Sequence, residues 1–145
     1  MICYGKTASN AISAISYLAE IHETEQPKAG SKEISKNREI PKPLVAKILT
    51  ILSTGKLVKG TPGPNGGYTL AKEPTEIRLI DIVTLFERLD DKVSCPFGPE
   101  WCGDGPICPL HEDMVKLREQ TIEFLTRTTL ELFTRQPKAY CRIPH

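Results

Sequence analysis

The sequence predicts a mainly α-helical fold with one small β-hairpin, and three observations lead there. Apolar residues recur at helical spacing in four separate stretches. A single pair of short strand-like runs, residues 56–59 and 68–70, flanks a loop of Gly, Pro, Asn and Thr. Three of the five cysteines crowd into fourteen consecutive residues that show no periodicity and are rich in Gly and Pro, which marks an irregular loop ordered by something other than packing.

Residues 7–23 place Ala11, Ile12, Ile15, Leu18, Ala19 and Ile21 on one face of a first, long helix. A break at 27–30 follows, then Ser31 stands as N-cap of a short helix through Ile34 to about Lys36, with a turn at 37–40. Pro41 and Pro43 fit only the first turn of the next helix, where a missing N–H costs nothing. Leu44, Val45, Ile48, Leu49, Ile51 and Leu52 mark that helix, and Gly55 is its expected stop. After the hairpin, a fourth helix spans 79–89 with Leu79, Ile82, Val83, Phe86 and Leu89 inward. Met114, Leu117, Thr121, Phe124, Leu125, Thr128 and Leu132 predict one long amphipathic helix over 111–134.

Helix, short helix, turn, helix and hairpin in that order make a winged helix-turn-helix, whose third helix enters the major groove of DNA. The charge distribution agrees. The chain carries a net charge of only +1, yet residues 28–60 hold Lys28, Lys32, Lys36, Arg38, Lys42, Lys47, Lys56 and Lys59 against Glu33 and Glu39 alone. Phosphate neutralisation by such a segment supplies non-specific affinity. The candidate DNA-binding residues are Lys32, Lys36, Lys42, Lys47, Lys56 and Lys59, with Gly66 and Gly67 of the wing. Lys47 is the leading candidate for a groove contact, beside exposed Lys42 and Ala46. Two blander readings stand beside these: lysines that only solubilise a protein-binding domain, and glycines that only shape the turn.

Cys95, Cys102, Cys108 and His111 offer three thiols and an imidazole within seventeen residues, a donor set for a sulfur-rich metal site. His111 begins the last helix, whose N-terminal dipole favours the Cys108 thiolate. The wide spacing suits an iron-sulfur cluster; zinc, a metal-free thiol switch and inert cysteines remain open readings. Trp101 shields such a centre or serves as an ordinary packing anchor, and Cys3 and Cys141 receive no role.

These residues resemble the family of winged-helix regulators that includes IscR, NsrR and CymR. The wing, Gly63-Pro64-Asn65-Gly66-Gly67-Tyr68-Thr69-Leu70-Ala71, is similar to that family's Gly-Pro-Gly-Gly-Gly-Tyr-x-Leu-Ala, and Ile77-Arg78-Leu79-Ile80-Asp81-Ile82-Val83 follows it. The resemblance implies a homodimer formed along the last helix, a palindromic double-stranded DNA operator and a cluster held by Cys95, Cys102, Cys108 and His111. It favours a 2Fe-2S over a 4Fe-4S centre, because the first-helix carboxylates of NsrR-like relatives have no counterpart among Thr7, Ala8, Ser9 and Asn10. Two departures stand out: Pro62 replaces a wing arginine, and six residues separate Cys95 from Cys102 where the IscR pattern has five.

The expected organisation is a winged helix-turn-helix at 1–90, a cysteine loop at 91–110, a dimerisation helix at 111–134 and a tail at 135–145. No Ser-His-Asp set, carboxylate pair or phosphate loop suggests an enzyme, and no small-molecule substrate is expected. The composition, 39% apolar and 26% charged, contains no run long enough to span a membrane. With no signal-like N-terminus, the cytoplasm is the expected location.

Overall fold

The computed structural model describes residues 4–89 and 108–135. Its elements follow the order α1 (Lys6–Glu20), α2 (Ser31–Arg38), α3 (Lys42–Thr54), β1 (Val58–Thr61), β2 (Gly67–Leu70), a 3-10 turn (Pro74–Glu76), α4 (Leu79–Phe86), α5 (His111–Arg127) and α6 (Glu131–Thr134). The mainly helical fold with one hairpin is as expected.

Helix α1 is the centre of the core. Its alanines, Ala8, Ala11, Ala14 and Ala19, are fully buried and let α2, α3, α4, α6 and β2 pack against it. Around it lie Ile34 of α2, Val45, Ile48, Leu49 and Leu52 of α3, Ile77, Ile82 and Val83 beside and within α4, and Leu125 and Leu130 from the C-terminal part. The turn between α2 and α3 is three residues long, with Glu39 left-handed at φ 54° and Ser35 Oγ donating to the Ile40 carbonyl at 2.6 Å. Pro43 sits in the first turn of α3, as its missing N–H requires.

The hairpin is antiparallel with Val58 opposite Leu70 and Thr61 opposite Gly67. A third segment joins it, because Ala29 and Tyr68 exchange two backbone hydrogen bonds of 2.9 and 3.1 Å. The break at 27–30 therefore also pairs with the free edge of β2 and ties the wing to the start of α2.

Several boundaries differ from the sequence reading. Gly55 does not take the left-handed position; its φ is −75° and Lys56 adopts φ 60° instead. Gly55 answers to space, since a Cβ there would lie 2.5 Å from Leu85 Cδ1. The largest correction concerns the last helix, which stops at Arg127 and does not run on to 134. Thr128 turns extended, and residues 128–130 pair with 77–79 through Leu79 N–H to the Thr128 carbonyl and Leu130 N–H to the Ile77 carbonyl, both 2.9 Å. After that break Leu130 enters the core at full burial.

Candidate nucleic-acid interface and thiol site

Helix α3 buries Val45, Ile48, Leu49 and Leu52, so its opposite face turns to solvent. Lys42, Pro43, Ala46, Lys47, Thr50 and Thr54 are exposed there. Reading from the sequence found Lys42, Ala46 and Lys47; Pro43 and Thr50 complete the face one turn to either side. Lys32 and Lys36 are exposed one turn apart on α2, Lys56 is exposed in the turn before β1, and Lys59 is exposed on β1 opposite Thr69. None of these six lysines enters an ion pair among the described residues. Their charges are free for phosphate.

Arg38 is different, although it belongs to the same basic stretch. Its guanidinium donates to the Ser13 carbonyl (2.9 Å), Ser16 Oγ (3.1 Å) and Glu20 Oε1 (2.5 Å), and lies 5.3 Å from the Tyr17 ring centroid. The side chains of Arg38 and Glu20 are only 13% and 16% exposed. This cation clamps α2 onto α1 and is spent inside the protein. Tyr17 completes the joint by donating to Glu33 Oε1 at 2.7 Å; burial and that bond push its hydroxyl up to about 12.

The two wing glycines have identifiable steric tasks. A Cβ on Gly66 would lie 2.1 Å from the Thr61 carbonyl oxygen and 2.8 Å from that of Gly63, to which the Gly66 N–H already donates. A Cβ on Gly67 would press on the Ala29 backbone at 3.2 Å. Gly66 is required by the wing's own geometry, and Gly67 allows the close approach of Ala29.

Of the four candidate metal donors, Cys108 and His111 are placed, at the root of α5. Cys108 is 3% exposed, its sulfur faces the Leu110 N–H at 3.4 Å, and its carbonyl accepts the His111 N–H at 2.9 Å. His111 is half-buried. Cys95, Cys102 and Trp101 lie outside the described residues, as do Cys3 and Cys141. Among the described residues no three His, Cys, Asp or Glu side chains gather into a metal site.

On α5 only Leu125 is fully buried, whereas Leu110 just before it, Leu117 and Phe124 are 44%, 38% and 44% exposed at seven-residue intervals. Leu132 of α6 is exposed as well. Among the described residues no helix is long and apolar enough to cross a membrane.

Three packed helices with a short turn between the second and third, a wing hairpin and a basic surface define a winged helix-turn-helix protein. The chain belongs to the Rrf2 family, described as an iron-dependent transcriptional regulator, whose sequence profile matches residues 4–136. It is 34% identical over 131 residues to a protein of Aquifex aeolicus (strain VF5) provisionally described as an HTH-type transcriptional regulator, covering 88% of each chain. It is 31% identical over 98 residues to the HTH-type transcriptional regulator IscR of Serratia proteamaculans (strain 568), covering 68% of this chain and 59% of that one. Among solved structures, CymR, the global cysteine regulator of B. subtilis, superposes with a TM-score of 0.72 at 21% identity, covering 94% of this chain and 100% of that one. T. potens IscR superposes with a TM-score of 0.68 at 20% identity, covering 94% and 93%. The protein is thus a DNA-binding transcription regulator and not an enzyme.

Proposed function

We propose that this regulator binds a palindromic operator as a homodimer and that an iron-sulfur cluster, of the 2Fe-2S type, controls its affinity. The observation that carries the reading is the position of Cys108 and His111, a buried thiol and a half-buried imidazole at the root of a helix that buries little of itself in its own chain. With Cys95 and Cys102 they make four donors suited to such a centre. When bound, the centre supplies a group whose charge and ligation respond to oxidant, nitric oxide or iron supply.

The chain's own residues do the rest. Leu110, Leu117 and Phe124 offer a heptad-spaced seam for a second copy. The far end of α5 is hydrogen-bonded, through Thr128 and Leu130, to Leu79 and Ile77, which follow the wing. A change in what Cys108 and His111 hold is thereby delivered to a helix attached at both ends, one to the donors and one to the DNA-binding unit. Lys32, Lys36, Lys42, Lys47, Lys56 and Lys59 hold phosphates, Lys47 reaching into the groove, and Gly66 and Gly67 let the wing approach the duplex.

Anaerobic purification with iron, sulfide and zinc measured per chain tests the cofactor. About two irons and two sulfides, lost in Cys102→Ala, are expected. One zinc, or a colourless metal-free protein after attempted reconstitution, would replace the cluster by a zinc-stabilised or thiol-controlled regulator of the same family.

A further inference from the structure

The DNA-facing side of α3 offers few free hydrogen-bonding groups to base edges. Pro43, Ala46, Lys47, Thr50 and Thr54 are exposed and share it, three, four, seven and eleven residues along from Pro43. Pro43 and Ala46 have no polar side-chain atom. The Thr50 and Thr54 hydroxyls donate along the helix to the Ala46 and Thr50 carbonyls, each at 3.0 Å. What remains on offer is carbon, the Thr50 and Thr54 oxygens as acceptors but no longer as donors, and the charge of Lys47 and of Lys42 at the edge of the face.

In the major groove the one apolar feature of the base pairs is the 5-methyl group of thymine, and Ala and Thr methyls are its partners. The wing adds no competing readout by charge. Its exposed tip, residues 61–65, reads Thr-Pro-Gly-Pro-Asn and offers the minor groove no cation. We infer that the sequence preference of this regulator is set by thymine 5-methyl groups packed against Pro43, Ala46 and Thr50, with Lys47 supplying charge beside them. This rests on the proposed insertion of α3 into the major groove and specifies the bases it selects: thymine-containing half-sites, read by carbon contact.

The test starts with selection of duplexes from a random pool by the purified full-length protein. Each enriched thymine is then replaced by uracil, which removes the methyl and keeps the base pair. Loss of about fourfold in affinity is expected at each contacted position, the value of burying one methyl-sized group. Thr50→Ser keeps the hydroxyl and its bond to the Ala46 carbonyl while removing the side-chain methyl. It is expected to bring the thymine-to-uracil ratio close to one at a single position per half-site and leave the others unchanged. Inosine in place of guanine, which strips the minor-groove amino group, is expected to have no effect. Enriched sites without thymine, uracil-tolerant sites, or sites sensitive to inosine alone would overturn the methyl readout while leaving operator binding intact. A pool that yields no enriched sequence, with only salt-sensitive binding, would instead overturn operator recognition itself.

Discussion

Arg38→Met separates a structural cation from the exposed lysines around it, which are proposed to face DNA. The substitution keeps much of the side-chain volume and removes the hydrogen bonds to Ser13, Ser16 and Glu20, together with the stacking on Tyr17. Glu20, at 16% exposure, then loses this cation from a largely buried site. Breaking one side of a buried pair costs about 3–5 kcal/mol, and the residual exposure of both groups places this case near 3. Stacking on the tyrosine adds about 0.5–1 kcal/mol. For a chain of this size that is a fall in Tm of about 10 °C. Urea and thermal unfolding read the loss, and the double variant Arg38→Met with Glu20→Met recovers part of it by removing the carboxylate that lost this cation. The salt dependence of DNA binding, read in parallel, keeps its slope, whereas Lys36→Ala or Lys56→Ala lowers it by about 0.9 for each lost phosphate contact. Wild-type stability in Arg38→Met with a reduced slope would refute the assignment and put Arg38 on the DNA.

Gly66→Ala drives a Cβ into the Thr61 and Gly63 carbonyls, which are backbone and cannot swing aside, so a loss of about 1–3 kcal/mol and weaker operator binding are expected in melts and titrations. Leu117→Glu combined with Phe124→Glu places charge on the exposed face of α5; sedimentation is expected to show the affinity of the proposed dimer reduced at least tenfold, about 1.4 kcal/mol, with the monomer still folded. Tyr17 is neutral when protonated and its folded-state value is raised, so its contribution to stability is complete below pH 10 and is lost as pH rises from 10 to about 12. Tyr17→Phe removes that alkaline component, which absorbance titration and unfolding across this window detect.

The helices and hairpin were legible because burial follows periodicity: Ile15 and Leu18, Ile48 and Leu52, or Ile82 and Val83 are buried where their spacing places them. The third segment of the wing was not, since Ala29 pairs with Tyr68 through backbone atoms, which leave no mark on residue type. Nor was the break at Thr128. Its side-chain pattern continues the apolar stripe of α5, and only the backbone bonds to Ile77 and Leu79, distant in sequence, divert the chain. Arg38 looked like one more cation of the basic stretch because its partners, Glu20 and Ser13, belong to another helix. The exposed lysines and the face of α3 were readable from charge and spacing, while Pro43 and Thr50 carry no charge to draw attention. For the thiol site, Cys108 and His111 lie at the root of α5, and Cys95 and Cys102 lie outside the described residues.

Operator affinity of one anaerobic preparation, compared before and after removal of any iron and sulfide it holds, tests the proposed coupling of a cluster to DNA most directly. A shift of about 5–150-fold on the selected operator, absent on random DNA and absent in Cys102→Ala and His111→Ala, is the expected result. Equal affinity in the two states would contradict it and leave a DNA-binding regulator whose control does not pass through Cys95, Cys102, Cys108 and His111.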